Sequence, residues 1–343
     1  MLKTTNLGRN CGLKVSELCL GTMNFGEPGR GHQGDWTISE KDATPIFKTA
    51  FENQLFYFDC ANNYGQGACE QVVGSILRTL FQRSEYVLAT KLAMPMGPGA
   101  NQGGLSRKHI FESIDASLSR LGMEYVDQLV IHRHPHGVRG KFRVPLEESM
   151  EALHDVVKQG KALYLGASSM FAWQFAELQS LAKMHGWTPF VSMQNHYNLI
   201  YREEEREMNP YCASHGIALT PWSPLARGIL AGSYSNDFDA GKTVRSSGQD
   251  RLRTESLYRG EAKFKIVERV IEIAEKYGKK PAQIALAWLM NKPEITSPIV
   301  GVSREGQLED LVEASKIVLD PQDITYLEEL YTPLENLLSI GTS

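Results

Sequence analysis

Eight short apolar runs alternating with amphipathic helical stretches predict an α/β fold, a (β/α)8 TIM barrel with an N-terminal hairpin and a C-terminal accessory helix. Two further observations support that class. The runs are continuously apolar, as strands of a parallel sheet buried on both faces require. Three of them also end in a chemically capable residue: Leu55–Phe58 runs into Asp59, Tyr86–Thr90 into Lys91, and Asp127–Ile131 into His132. In a parallel barrel the C-terminal strand ends share one face, so an acid, an amine and an imidazole converge there with Tyr64 from the loop after Asp59.

Taken in order, Thr4–Asn6 and Leu13–Val15, separated by the turn glycines Gly8 and Gly12, suggest a hairpin that plugs the bottom of the barrel. Leu18–Leu20 is the first barrel strand, ended by Gly21. Ser39 with Asp42 resembles a capping box, and Ala43, Ile46, Phe47, Ala50 and Phe51 form the apolar stripe of the first helix. The alternation then repeats. Strand Leu55–Phe58 precedes helix Glu70–Leu80; Tyr86–Thr90 precedes Arg107–Leu121; Gln128–Ile131 precedes Leu146–Lys158, which Pro145 starts and Gly160 ends. Leu163–Gly166 with helix Ala172–Met184, Phe190–Met193 with helix Glu203–Ser214, and Ile217–Thr220 continue it. A long polar loop, Ser233–Arg253, comes before helices Glu261–Tyr277 and Pro281–Met290; Ile295–Val300 is the eighth strand and Gln307–Ala314 its helix. Pro321–Tyr331 reads as the accessory helix, and residues 1–343 as one domain.

A chain of 343 residues, 42% hydrophobic, is long enough for this barrel without a second domain. A net charge of −4 and no dense basic tract leave no electrostatic footprint for nucleic acid or anionic lipid. No apolar run approaches a membrane span, and Met1–Asn6 lacks the apolar core of a signal peptide, so the expectation is a soluble, cytoplasmic protein of undetermined oligomeric state. Cys11, Cys19, Cys60, Cys69 and Cys212 are an odd set without a C-x-x-C pair, which points to free thiols.

Two rival motifs lose to this reading. Gly29, Gly31 and Gly34 spell G-x-G-x-x-G, and Asp59 ends the next strand as a ribose-binding acid would. That fingerprint needs its glycines to turn directly from strand into helix, whereas residues including Pro28 separate Leu20 from Gly29 and the helix cap waits until Ser39. The run His132-Arg133-His134-Pro135-His136 invites a metal, yet neighbouring side chains on an extended chain point to opposite faces and no acidic or second histidine pair supports it. Singly, Asp59 could cap a turn, Lys91 lie on the surface and Tyr64 pack. Agreement of three strand ends is harder to dismiss, because Lys and Asp are rarely buried unpaired.

These residues resemble the aldo-keto reductase family over almost the whole chain. Phe58-Asp59-Cys60-Ala61 with Tyr64, Ala89-Thr90-Lys91, and Asp127 to His132 are similar to the family's Asp, Tyr, Lys and His tetrad in the family's order. Gly166-Ala167-Ser168-Ser169, Gln194-Asn195 and Trp222-Ser223-Pro224-Leu225 resemble its cofactor segments. Asn195-His196-Tyr197-Asn198-Leu199 and Ser223 to Gly228 resemble the branch of bacterial and fungal oxidoreductases that also contains the potassium-channel beta subunits. There are departures: Ser169 stands where many members carry Asn, Trp222 where many carry Tyr, Val300 to Arg304 replaces an Ile-Pro-Lys-Ser motif, and Asp310 and Leu311 stand where channel subunits carry Glu and Asn near the adenine.

The resemblance implies hydride transfer from NADPH to the carbonyl of an aldehyde or ketone. Tyr64 would be the general acid, Lys91 would stabilise its anion, Asp59 would aim Lys91, and His132 would orient the substrate oxygen. Trp222 would stack on the nicotinamide, with Ser168, Ser169 and Gln194 at its carboxamide and Gly21, Thr22, Met23 and Asp59 nearby. Ser223, Pro224, Leu225, Arg227 and Gly228 would follow the cofactor outward to Gly301, Ser303, Arg304, Gln307 and Asp310. There the start of a helix offers unpaired N–H groups, and Arg304 suits the 2′-phosphate of NADP. Two other readings stay open from sequence: a redox-sensing cofactor-binding subunit, and a sugar-phosphate enzyme linked to 1-deoxyxylulose 5-phosphate formation, with Arg133 or Arg227 meeting the phosphate. Substrate choice rests with loops such as Met23–Trp36 and Ser233–Arg253.

Overall fold

The two residues nearest the first turn, Leu7 and Val15, have no exposure at all, and they explain the hairpin they sit in. Strands β1 (Thr4–Asn6) and β2 (Lys14–Ser16) pair antiparallel. Leu7, Cys11 and Val15 pack against Cys19, Tyr57, Val87, Ala89, Val130, Ala218 and Ile299, inward-facing side chains of the barrel strands. Gly8, with φ +85°, lies so close to Gly216 that a Cβ would strike its carbonyl oxygen. The structure, a computed structural model, describes residues 1–30, 36–137, 143–234 and 249–333, the side chains of residues 249 and 250 excepted.

The barrel strands are β3 (Cys19–Gly21), β4 (Tyr57–Asp59), β5 (Val87–Leu92), β6 (Val126–Ile131), β7 (Ala162–Ser168), β8 (Phe190–Gln194), β9 (Ala218–Leu219) and β10 (Ile299–Val300). They form one parallel sheet in the order β10-β3-β4-β5-β6-β7-β8-β9. Isolated parallel bridges Leu219↔Ile295 and Trp222↔Ile299 join its two ends, so the sheet curls back on itself in the (β/α)8 manner. Outside lie helices α1 (Glu40–Glu52), α2 (Ala68–Leu80), α3 (Arg107–Leu121), α4 (Leu146–Lys158), α5 (Ala172–His185) and α6 (Met208–His215). Next come α7 (Gln249–Tyr258), α8 (Glu261–Tyr277), α9 (Pro281–Met290), α10 (Gln307–Ala314) and α11 (Pro321–Glu328), the accessory helix. Their apolar stripes meet the outer face of the sheet: Ala43, Ile46, Phe47 and Ala50 of α1 join one core cluster with Leu20, Phe58, Leu88 and Leu129.

Local chemistry moved several boundaries. Expected as one helix, Glu203–Ser214 is a short 3-10 turn at Glu203–Glu205 followed by α6, because Pro210 lacks an N–H and is tolerated only in a first helical turn. Ile295–Val300 narrows to Ile299–Val300, since Pro298 cannot donate to a ladder. The Leu55–Phe58 strand shifts to Tyr57–Asp59, which puts Asp59 inside the sheet. Helix α7 falls within and beyond the segment expected as loop; its buried stripe is Thr254 and Tyr258, residues that carry little apolar signal. Of the rival glycine motif, Gly31 and Gly34 lie outside the described residues, as do residues 235–248 of the polar loop.

Candidate active site at the strand ends

Lys91 lies on β5, a strand buried along its whole length, and is 2% exposed. An ammonium so enclosed is costly unless paired, and all three of its N–H bonds are used. Lys91 Nζ donates to Asp59 Oδ2 at 2.5 Å, to the carbonyl oxygen of Cys60 at 2.9 Å and to the Tyr64 hydroxyl at 3.2 Å. Burial pulls the lysine pKa down, but Asp59 and Tyr64 outweigh it and hold Lys91 above its ordinary value. The register that sets Asp59 opposite Ala89 brings the carboxylate within reach of Lys91. From across the barrel, Gln194 Nε2 donates to Asp59 Oδ1 at 2.7 Å, so the carboxylate is fixed from both sides.

Tyr64 begins the turn Tyr64–Gly67, in which Gly65, Gln66 and Gly67 all have left-handed φ. A side chain at Gly67 would collide with Arg120. Arg120 is itself held by fully buried Glu70 at 2.6 Å, which also accepts from Thr90 Oγ1 at 2.6 Å. The loop carrying Tyr64 is thereby tied to the strand carrying Lys91. Burial pushes the Tyr64 phenol up, Lys91 draws it back, and Asp59 and Cys60 push it up again. Since an ammonium can only donate, the Tyr64 oxygen accepts from Lys91 and its own proton is free for another acceptor. The His132 ring stands edge-on to Tyr64, centroids 5.9 Å apart at 81°. Burial, then Lys91, Arg133 and Arg253, hold the imidazole well below its ordinary pKa, so it is neutral. Its Nδ1 is shielded with no partner among the described residues.

The expected cofactor residues divide into two groups. Thr22 Oγ1 donates to the Asp59 carbonyl at 2.9 Å, Gly21 leaves no room for a Cβ beside Ile299, and Met23 is half-buried. Ser168 Oγ donates to the Gln194 carbonyl at 2.9 Å, and Trp222 Nε1 donates to Ser169 Oγ at 2.9 Å. Ser169, Ser223, Ala226 and Arg227 all have left-handed φ, and such non-glycine strain gathers at working sites. Pro224 is buried and Leu225 packs on the core, while Arg227 Nε donates to Thr254 Oγ1 at 3.0 Å and Gly228 has φ +102°.

In the outer group two of the expected donors are already engaged. The Gln307 side-chain oxygen accepts from the N–H groups of Ser303 and Arg304 at 2.8 and 3.2 Å, so those backbone donors are already satisfied. Asp310 is held by Lys280 at 2.6 Å. Gly301 and the Arg304 side chain are exposed, and Arg304 makes no ion pair with a described carboxylate. Asn24 Nδ2 donates to the Val302 carbonyl, fastening this loop to the one after β3. Among the described residues no three His, Cys, Asp or Glu side chains converge as metal ligands, and all five cysteines are free and buried. Sequence reasoning missed the support behind Trp222, formed by His196, Asn198, Tyr201 and Tyr258; the concentration of rings in Asn195–Tyr201, just past β8, was the available signal.

A parallel barrel here encloses a Lys–Asp pair under a phenol, with a neutral imidazole beside it. Residues 17–332 match the family described as Aldo/keto reductase family, and the chain belongs to it. It is 42% identical, over 95% of each chain, to a Schizosaccharomyces pombe protein whose name gives aryl-alcohol dehydrogenase as an inferred activity. It is 40% identical to the versiconal hemiacetal acetate reductase of Aspergillus parasiticus, over 94% of this chain and 95% of the relative. It is 41% identical to an aldo-keto reductase of Fusarium vanettenii, over 94% of this chain and 90% of the relative. Both the family and these names support an oxidoreductase working on carbonyls and alcohols.

Proposed function

We propose that the protein reduces aldehydes and ketones, aromatic aldehydes among them, to alcohols with NADPH, using Tyr64 as the proton donor. The single observation that carries this is the saturated Lys91 ammonium, whose third N–H points at the Tyr64 oxygen. As Tyr64 gives its proton to the substrate oxygen, negative charge develops on the phenol, and Lys91 meets it without any rearrangement. Asp59, pinned by Gln194, keeps Lys91 charged and aimed. Neutral His132 donates a hydrogen bond to the carbonyl oxygen and so orients the carbon.

The residues present fit the nicotinamide half of the cofactor. Gln194 spends one N–H on Asp59 and keeps its Oε1 as an acceptor for the carboxamide NH2, Ser168 Oγ has lone pairs left after donating to the Gln194 carbonyl, and Ser169 Oγ can donate to the carboxamide oxygen. Half-buried Trp222 offers a ring face for stacking. Bound there, NADPH supplies the hydride that the carbonyl carbon accepts. Arg304 supports the choice of NADPH over NADH as an exposed cation without a described partner. A cytoplasmic location agrees with this cofactor and with the absence, among the described residues, of a helix long and apolar enough to cross a membrane. The test is NADPH consumption with a panel of aromatic and short aliphatic aldehydes and ketones. Turnover of several supports the reading; NADPH binding without turnover of any favours a sensing subunit.

A further inference from the structure

Behind Trp222 the rings form a column. The backbones of His196 and Trp222 are neighbours across a parallel bridge, where the chain continues past β8 and β9. Their rings stack at 4.1 Å and 9°, and the far face of the imidazole stacks on Tyr201 at 4.1 Å and 15°. Tyr258 stands edge-on to His196 at 71°, with its hydroxyl 2.5 Å from Nε2. Asn198 Nδ2 donates to that hydroxyl at 3.2 Å and to the Ser223 carbonyl at 2.9 Å.

These contacts enclose the imidazole. The two protons of the Asn198 amide go to the Ser223 carbonyl and the Tyr258 hydroxyl, so the partner of His196 Nε2 is the Tyr258 hydroxyl. The Tyr258 hydroxyl accepts from Asn198 and shares a hydrogen bond with His196 Nε2. Burial, and then Arg227, Lys263 and Arg253, push His196 down to about 3.

We propose that His196 is a positioning residue for the cofactor: a flat, uncharged plate between Tyr201 and Trp222 that sets the plane of the indole on which the nicotinamide stacks. This rests on the NADPH reading above. An aliphatic side chain could fill the volume but could not hold two rings parallel on its faces, and Trp222 would then be located only by its backbone and its bond to Ser169. On that reading an adenosine fragment lacking the nicotinamide would not reach this column, which separates ring placement from general damage.

The experiment compares wild type, His196→Phe, His196→Leu and Tyr201→Leu for binding of NADPH and of adenosine 2′,5′-bisphosphate, each by tryptophan fluorescence, with turnover of a neutral aromatic aldehyde alongside. His196→Leu is expected to weaken NADPH by about threefold to tenfold, the worth of a lost aromatic contact, with the bisphosphate unchanged. His196→Phe keeps a flat ring and is expected within about twofold of wild type for both ligands. Tyr201→Leu leaves the His196 hydrogen bonds intact and is expected to repeat the His196→Leu pattern more weakly; it decides the matter if His196→Leu does not fold. Equal losses for NADPH and the bisphosphate, or no difference between Phe and Leu at position 196, overturn the proposal. A wild type that binds neither ligand nor oxidises NADPH overturns the cofactor reading instead.

Discussion

Lys91 is the residue on which the site turns, because its three hydrogen bonds leave no donor spare and its charge has no water to retreat to. Lys91→Met strands the Asp59 carboxylate with Gln194 as its remaining donor. Removing one partner of an enclosed pair costs about 3 to 5 kcal/mol, so the variant is expected to lose activity and to melt well below wild type. A melting temperature equal to wild type contradicts the pairing. At this scale the sequence was legible where a residue type was improbable in its place: an acid, an amine and an imidazole closing apolar runs. It was illegible where the partner was ordinary. Nothing about Cys60 announced that its carbonyl takes one of the Lys91 protons, nor that Glu70 and Arg120 brace the Tyr64 turn.

Elements carry these residues into register through close contacts. Gly74 of α2 lies directly against the Leu121 carbonyl at the end of α3, and a methyl group there would fall inside contact distance. Gly74→Ala is therefore expected to push α2 from α3 and lower stability by about 1 to 3 kcal/mol, read as a lower urea midpoint; an unchanged midpoint means the two helices have room. The β10–α10 loop carries a second prediction. The Ser303 and Arg304 N–H groups are taken by Gln307, so in the proposed NADPH reading the Arg304 guanidinium is the main candidate to meet the 2′-phosphate. With charge-assisted bonds worth about 1.5 to 3 kcal/mol, Arg304→Ala is expected to weaken NADPH about tenfold to a hundredfold and to leave NADH nearly unaffected, measured by fluorescence titration of both. Equal losses contradict the assignment. Helices with apolar stripes were readable in the sequence, whereas α7 was not, because a stripe of Thr254 and Tyr258 has no apolar periodicity. The satisfied N–H groups before α10 were equally hidden, since a glutamine four residues on has several possible partners.

The whole molecule stores several imidazoles in neutral form, and this gives its stability a direction with pH. Burial lowers His109 and His132, lowers His134 to about 4 and lowers His196 to about 3, while an unfolded histidine titrates near about 6.5. Their folded pKa values lie below the unfolded one, so unfolding takes up protons and stability falls as pH drops from about 6.5 toward the folded values. Glu204, pushed up to about 7 by burial, binds a proton in the folded state and offsets part of this. The balance favours the histidines, and the melting temperature is expected to fall between about pH 7 and pH 5; a flat or rising profile contradicts their neutral burial. In the function proposed above, the barrel brings these elements together so that Tyr64 protonates a carbonyl oxygen with Lys91 behind it. Tyr64→Phe tests it most directly, since the ring remains and only the proton donor is removed. NADPH binding is expected near wild type, with aldehyde turnover lowered by about 10² or more. Retention of more than about a tenth of wild-type turnover would contradict the account, because a positioned general acid is worth more than that.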